Sequence, residues 1–202
     1  MTGTPMPTLL SMPWPGLDRA AELLRSTGVG EHARRTGDRA PSGHVLDRQG
    51  GRVRLPDLWR DGPVVMLFFR GGWCRTCDLQ LRAWRRQRDA LAALGFRLVA
   101  VSPQQPDPQG ECFGFDLLSD PDLAAANGFG IAFTLPPDAV DLYAANGIDI
   151  PVLNGNGLWV LPIPAVYVVG ADGVVRFAYV EGDSPEGVRP EDVLVAMTTG
   201  VA

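Results

Sequence analysis

Two short, nearly unbroken apolar runs stand out in the pattern of hydrophobic and polar positions along the chain. They are GPVVMLFF at 62–69 and FRLVAVSP at 96–103, and each is typical of a strand that is buried on both faces. The apolar positions that keep helical spacing between them are Leu81, Trp84, Leu91 and Leu94. Gly95 follows as a typical helix stop. A strand, a helix and a strand in this order predict parallel strands joined by a right-handed crossover.

The N-terminal part of the chain predicts a less regular arrangement. Residues 1–15 are rich in proline and predict an irregular arm, whereas 16–35 carry apolar side chains at helical spacing and predict a helix. In GHVLDRQGGRVRLPDLW, apolar and polar residues alternate on both sides of Gly50 and Gly51. This alternation predicts a β-hairpin with a glycine turn.

The second half of the chain predicts a strand at 115–120, a short helix at 121–129 and a loop-like segment at 129–163, which is rich in Pro, Gly and Asn. The segment 164–180 predicts two strands about a tight turn near an Asp-Gly pair, which is a strong hairpin signal. A helix over 184–197 closes the chain. The order of elements indicates an α/β sandwich with a mixed central sheet.

Composition and charge narrow the class of protein. The chain has 202 residues, of which 46% are hydrophobic and 20% charged, and no apolar run approaches the roughly 18 residues that cross a bilayer. The formal net charge of −5 argues against nucleic-acid binding, which favours a basic surface. The N-terminus does not resemble a secretory signal, so we expect a cytoplasmic protein. All eighteen basic residues are arginine, a coding bias that suggests a GC-rich bacterial genome.

The candidate chemistry lies in FFRGGWCRTCDLQLRAW, which contains Cys74 and Cys77, two of the three cysteines. At the point where a buried strand leads into a helix, Cys74 would occupy the N-cap and face the positive end of the helix dipole. The dipole and the neighbouring Arg75 both favour the thiolate, which is the nucleophile. Cys77 would point inward and could close a disulfide. We therefore expect Cys74 to attack a substrate and Cys77 to resolve the intermediate.

Two other interpretations of the cysteines compete with this one. The pair could be inert and buried, or it could bind zinc. In a reducing compartment a C-x-x-C pair is more often catalytic or metal-binding than a structural disulfide. Structural zinc needs four ligands, however, and the remaining Cys112, His32 and His44 have no matching spacing. We expect neither a metal nor a cofactor.

Several segments in fixed order resemble one family. WCRTC at a strand-to-helix turn resembles the thioredoxin fold. Together with VSPQQPD, LLSDPDLAAANGFGIAFTLP and NGLWVLPIPAVYVVGADGVVRFAYV, it is similar to the peroxiredoxin-like branch of the alkyl hydroperoxide reductase/thiol-specific antioxidant family. The resemblance implies a thioredoxin-like three-layer sandwich over 40–202, preceded by an arm and helix at 1–39. It also implies a cis proline at Pro164 that faces the sulfurs.

The chain departs from the family's pattern around the cysteines. If Cys77 takes the place of the peroxidatic cysteine, Cys74 and Arg70 stand where a Thr or Ser and a Pro belong, and Arg75 stands where the branch has Pro. Without that hydroxyl the transition state for peroxide reduction loses a donor, which Arg70 or backbone N–H groups could replace only in part. We expect a thiol–disulfide redox enzyme that reduces a disulfide, or slowly a hydroperoxide, and is recycled by an external thiol. The alternative is a thioredoxin-like scaffold that binds a metabolite or partner, with the cysteines secondary.

The remaining candidates are weaker. We expect the Trp73 ring to be packed beside Cys74. Asn154, Asn156 and Trp159 could line a substrate groove, although packing within a loop is the simpler explanation. We expect Cys112 to be buried as a small hydrophobic residue; the alternative is that it is a third redox-active sulfur. The arginines at 82, 85, 86 and 88 predict a solvated helix face. We expect no membrane partner, and a homodimer is compatible with the resemblance.

Overall fold

The computed structural model describes residues 30–180 and 188–198. Within these ranges the strands are β1 (His44–Leu46), β2 (Arg52–Arg54), β3 (Val64–Phe68), β4 (Arg97–Ser102), β5 (Asp116–Ser119), β6 (Ala132–Thr134), β7 (Val160–Pro162), β8 (Ala165–Val169) and β9 (Val175–Val180). The α-helices are α1 (Arg75–Ala93), α2 (Ala124–Gly128), α3 (Pro137–Ala145), α4 (Ile150–Asn154) and α5 (Pro190–Thr198). A short 3-10 helix, Leu55–Leu58, follows β2.

Seven strands form one mixed sheet in the order β2-β1-β5-β4-β3-β8-β9. The strands β3, β4 and β5 run parallel to one another, while β8 is antiparallel to β3 and β9 is antiparallel to β8. Every residue of β3 and β8 is buried, which explains why both read as unbroken apolar runs. The strands β6 and β7 form a separate two-stranded sheet.

The crossover helix α1 has the boundaries that the sequence predicts. It begins after Cys74 at the N-cap and ends at Ala93 with Leu94 as the C-cap, after which Gly95 adopts a φ of +80° that suits glycine. Its buried side chains are Cys77, Leu81, Trp84 and Leu91. The helix packs against β4 and α5, so the sheet is flanked by helices as the predicted sandwich requires.

The prediction of a loop at 129–163 is wrong, because this segment contains β6, α3, α4 and β7. Its prolines begin helices: Pro137 and Pro151 each lie in the first turn of a helix, where the missing N–H has no intrahelical acceptor to lose. Gly147, with a φ of +74°, follows the end of α3. The Pro, Gly and Asn residues therefore mark helix ends and not one continuous loop.

The two terminal helices differ from their predicted extents. Residues 30–35 form turns and irregular structure where the sequence predicted the end of a helix, and the rest of that prediction lies outside the described residues. The segment that follows packs on the β8–β9 hairpin, since Gly37 N–H donates to the Val175 carbonyl over 2.8 Å. At the other end α5 is confirmed from Pro190 onward, while 184–187 lie outside the described residues.

Candidate redox site

Cys74 and Cys77 form a disulfide at the start of α1, with their Cα atoms 5.2 Å apart. Cys74 is the N-cap residue, and its Sγ accepts a hydrogen bond from the Cys77 N–H at 3.4 Å. Cys74 retains 7% of its exposure and Cys77 only 1%. Cys74 is therefore the more exposed residue of the pair, and Cys77 is the more deeply buried one.

The turn that leads into the cysteines is closed by a side chain from the neighbouring strand. The Gly72 N–H donates to the Gln104 Oε1 over 2.6 Å, and Gly71 has a φ of +144°. A Cβ on Gly71 would lie 2.7 Å from the Trp73 Nε1 and 2.9 Å from the Gln104 amide. A larger residue at Gly71 would therefore collide with both neighbours, and Gly72 fixes the turn through its N–H.

Sequence reasoning missed Gln104, although a signal for it exists. Gln104 comes two residues after the end of β4, the parallel neighbour of the strand that leads to the cysteines. Because the carboxyl ends of parallel strands meet at one edge of a sheet, polar side chains just beyond them converge on the same site.

Trp73 is packed as predicted, with 8% of its surface exposed. Its ring meets Tyr143 of α3 edge to face, with 5.6 Å between the ring centroids. In the part of the chain that the structure describes, neither the Trp73 Nε1 nor the Tyr143 hydroxyl has a hydrogen-bond partner. Tyr143 was missed because α3 lies in the segment that was predicted as loop.

The two arginines near the pair differ in exposure. Arg75 is exposed, as expected for a residue between the cysteines, and it forms no ion pair within 30–180 and 188–198. Arg70 is partly buried at the end of the strand that precedes the turn. The charge of Arg75 thus lies at the surface, whereas Arg70 is partly enclosed.

Two sequence expectations near the site are wrong. Neither described range contains a cis peptide bond, so the bond before Pro164 is trans. The trans isomer is the more stable by about 0.5–1 kcal/mol, and a proline just before β8 removes no hydrogen bond from that strand. Cys112 is exposed and free instead of buried, because the loop that carries it lies on the surface.

That loop, 107–114, is held by arginine side chains. The Arg48 guanidinium donates to the carbonyls of Asp107, Pro108 and Gly110 at 3.3, 3.3 and 2.6 Å. Arg82 of α1 bonds Asp78 at 2.9 Å and Glu111 at 3.0 Å. Of the predicted solvated arginines, 85 and 86 are exposed, whereas 82 and 88 are partly buried and contact this loop.

The three candidates for a groove have different surroundings. Asn154 is fully buried, and neither polar atom of its side chain has a hydrogen-bond partner among the described residues. Asn156 donates to the Pro121 carbonyl at 2.9 Å and accepts from the Leu158 N–H at 2.9 Å, so it holds its own loop. Trp159 is partly buried. A groove lined by these residues stays a prediction.

Asp120 is an ionisable group that the sequence did not single out. Its side chain is 2% exposed, and its carboxylate accepts hydrogen bonds from the Ala125 and Ala126 N–H groups at 3.0 and 2.8 Å. Burial removes the carboxylate from water and raises the pKa of Asp120 to about 7, against the opposing effect of those two bonds. The residue ties the end of β5 to α2.

Across 30–180 and 188–198, no three His, Cys, Asp or Glu side chains cluster in a way that could hold a metal ion. None of the helices in these ranges is long and apolar enough to cross a membrane.

A mixed sheet with a C-x-x-C pair at a strand-to-helix turn, and the first sulfur at the helix N-cap, defines a thioredoxin-fold protein with a redox-type sulfur pair. The family model described as the AhpC/TSA family matches residues 36–178. The chain belongs to this family, as the sequence resemblance implied.

Individual relatives have names of two kinds. A Haemophilus influenzae protein provisionally named peroxiredoxin bcp is 30% identical over 100 residues, which are 47% of this chain and 64% of that protein. The thiol-disulfide oxidoreductase ResA of Geobacillus thermodenitrificans is 26% identical over 140 residues, or 69% and 66% of the two chains. The chain thus spans less than two thirds of either relative.

A solved structure supports the fold. The crystal structure of peroxidoxin BcpB from Mycobacterium tuberculosis superposes with a TM-score of 0.58 at 22% identity, over 74% of this chain and 88% of that one. At this level of identity the likeness concerns the fold alone.

Proposed function

We propose that this protein is a thiol–disulfide oxidoreductase whose substrate is reduced at Cys74. The observation that carries the proposal is the geometry of the pair: Cys74 caps α1 and keeps some exposure, while Cys77 is buried directly behind it. A capping sulfur receives the partial positive charge of the helix terminus and a backbone N–H, and both favour a thiolate over a thiol. Membership of the AhpC/TSA family and similarity to both peroxiredoxin and ResA-type relatives support the same class of chemistry.

The proposed reaction has two exchange steps. The Cys74 thiolate attacks one sulfur of a substrate disulfide R–S–S–R, forms a Cys74–S–S–R bond and expels the first R–S⁻. The Cys77 thiolate then attacks the Cys74 sulfur, expels the second R–S⁻ and leaves the Cys74–Cys77 disulfide. Two electrons have moved from the protein to the substrate, and an external dithiol or two monothiols restore the reduced pair.

Peroxide reduction is proposed as a slow side activity. In that reaction the Cys74 thiolate would attack one oxygen of the peroxide, break the O–O bond and release an alkoxide or hydroxide that takes up a proton. The Cys77 thiol would then condense with the Cys74 sulfenic acid, which releases water and leaves the Cys74–Cys77 disulfide. Fast peroxide reduction needs preorganised donors for the developing charge. The family's Thr or Ser position holds Cys74 when counted from Cys77 and Gly71 when counted from Cys74, so neither alignment supplies that hydroxyl donor.

Cysteine replacements test the proposal. Cys74→Ala should abolish disulfide turnover, measured with insulin disulfide and dithiothreitol, because no accessible nucleophile remains. Cys77→Ala should trap a mixed disulfide at Cys74 that intact-protein mass spectrometry detects. Cys112→Ser is the matched control and should turn over like wild type. Full activity of Cys74→Ala would refute the assignment and favour the alternative of a binding scaffold in which the cysteines are secondary.

The working environment is part of the proposal. A dithiol enzyme needs a compartment in which a reductant is present, so we place it in the cytoplasm with thioredoxin or a low-molecular-weight thiol as the donor. A homodimer is the assembly we propose to test first, by measuring the molar mass in solution. Either could fail without affecting the chemistry at Cys74.

A further inference from the structure

A cavity of about 220 Å³ lies beside the turn that leads into the sulfur pair. Its wall includes Gly72, two residues before Cys74, and Asp78 and Leu81 of α1. On a helix, positions four and seven residues apart share one face, so Asp78 and Leu81 continue the face on which Cys74 begins. The cavity therefore borders the helix face that begins at Cys74, although neither cysteine lines it.

The cavity also lies at the carboxyl ends of the three parallel strands. Phe69 directly follows β3, Ser102 ends β4 and Ser119 ends β5, and all three line the cavity. Crevices at this edge of a parallel sheet are where α/β proteins place their ligands. Its position is thus that of a ligand site and not of a packing defect.

Two serines give the cavity an unmatched hydrogen-bonding capacity. Ser102 and Ser119 are register partners on adjacent strands, so they share one face of the sheet, and each is 7% exposed. Neither hydroxyl forms a hydrogen bond with any residue in the described ranges. Both hydroxyls are therefore available to bond a partner that enters the cavity.

The rest of the wall sets the polarity of that partner. Phe69, Leu81, Phe113 and Leu118 make much of it apolar. The charged groups are the carboxylates of Asp78, Asp107 and Glu111 and the guanidinium of Arg48, so negative charges exceed positive ones by two. Arg48 is already bonded to three backbone carbonyls. An anionic group is disfavoured relative to a neutral one, because three carboxylates face two guanidinium groups even when Arg82, which pairs with Asp78 and Glu111, is counted.

We propose that this cavity is a specificity pocket for the substituent R of the substrate R–S–S–R, and that it selects a small uncharged group with an apolar stem and one hydrogen-bonding oxygen or nitrogen. The proposal rests on the disulfide reductase function given above. The pocket holds R while it is attached to Cys74, and the group leaves with its sulfur when Cys77 attacks. At this volume it takes one substituent and not a peptide, since sites for drug-sized ligands are about 300–1,000 Å³.

The first experiment is a single-turnover measurement with two disulfides of similar size. Pre-reduced, desalted protein is mixed with 2-hydroxyethyl disulfide, which is neutral, or with 3,3′-dithiodipropionate, which is anionic. Samples are quenched with acid and alkylated, and formation of the Cys74–Cys77 disulfide is followed by mass. Arg75 attracts the anionic disulfide independently of the pocket, so the ratio of the two oxidation rates in wild type does not test the pocket. The test is how pocket variants change that ratio.

Ser119→Leu fills the pocket and should slow oxidation by 2-hydroxyethyl disulfide about tenfold, while the rate with dithiodipropionate changes less than about twofold. Ser42→Leu, the same change at an exposed serine, should leave both rates alone. The double variant Ser102→Ala/Ser119→Ala removes only the hydroxyls and should cost the neutral substrate about threefold. Equal effects on both disulfides, or no effect, would overturn the pocket assignment.

A binding measurement on the oxidised wild-type protein does not depend on turnover or on any variant. With the pair closed, Cys112 is the one remaining thiol, and its neighbours Glu111 and Phe113 line the cavity. A trifluoromethyl tag on Cys112 should show a saturable ¹⁹F shift with 2-(methylthio)ethanol and none with 3-(methylthio)propionate. Equal response to both, or no response to the neutral probe, would overturn the inference.

The two proposals fail in different ways. Protein that neither disulfide oxidises would refute the reductase function, and the ¹⁹F titration would then decide whether the pocket selects neutral groups. Protein that both disulfides oxidise, with rates that the serine substitutions leave unchanged, would keep the reductase function and remove the pocket.

Discussion

At the scale of single residues, Arg75 is the basic side chain next to Cys74 in the sequence. It is exposed and has no ion-pair partner in the described ranges, so no carboxylate there offsets its charge. Water screens such a charge strongly, and exposed pairs are weak for that reason. The helix terminus acts on the same sulfur independently.

Arg75→Ala should shift the pH midpoint of Cys74 alkylation upward, because the thiolate loses a neighbouring cation. The shift should be at most about one pH unit. The measurement is the rate of iodoacetamide alkylation of reduced protein against pH, in a Cys112→Ser background. Arg86→Ala, at an exposed arginine on the same helix, is the matched control. A midpoint that stays or falls would mean that Arg75 serves a partner or substrate instead.

Gly71→Ala should lower the free energy of unfolding more than a turn glycine normally does. Gly71 requires a positive φ, and a Cβ there would collide with Trp73 and Gln104, so the expected cost is about 1–3 kcal/mol in a denaturant titration. Gly50→Ala is the control, because Gly50 has a φ of +83° but a Cβ there would have no atom within 4 Å. Equal losses for the two variants would show that the contacts around Gly71 add nothing.

At the scale of elements, the long regular patterns could be predicted from the sequence, whereas the short elements within 129–163 could not. The helix α1 and the strands β3 and β4 bury continuous sets of apolar residues, so their periodicity is visible. The helices α3 and α4 have only 9 and 5 residues and begin at prolines or directly before one, so their composition resembles a loop. These helices are stabilised by contacts with distant parts of the chain, such as that of Tyr143 with Trp73. Such contacts cannot be predicted from the sequence of the helix alone.

The link between β5 and α2 should make stability depend on pH through Asp120. Its pKa is about 7 in the folded protein, raised by burial from an ordinary value of 3.8. Between these values the folded state holds a proton that the unfolded state has released. Stability should therefore fall as pH rises from about 4 to about 7, by at most about 4 kcal/mol, and then level off.

Asp120→Asn should remove this part of the pH dependence, because an amide does not titrate. The measurement is the free energy of unfolding by urea at several pH values from about 4 to about 8 for both proteins, since other carboxylates contribute equally to each. Asp141→Asn, at an exposed carboxylate of α3 that does not act on Asp120, is the control and should keep the wild-type slope. An unchanged slope in Asp120→Asn would contradict the role given to its burial.

At the scale of the whole molecule, the candidate site is assembled from distant parts of the chain. The cysteines follow β3, Gln104 follows β4, Ser119 ends β5 and Tyr143 comes from α3. The cysteine pair and its place at the helix start could be predicted, because both are local properties of one short stretch. The residues around it could not, because only the sheet order brings them together.

The closed pair has a consequence for how the protein can be cross-linked. In the language of polymer chemistry, the oxidised chain is a monofunctional monomer. Its single group that can form an intermolecular disulfide is the exposed thiol of Cys112. A monomer with one reactive group can couple once and cannot grow a chain. Mild oxidation should thus stop at covalent dimers on a non-reducing gel, and Cys112→Ser should give none. A ladder of higher oligomers would show that the Cys74–Cys77 bond opens and supplies further thiols for cross-linking.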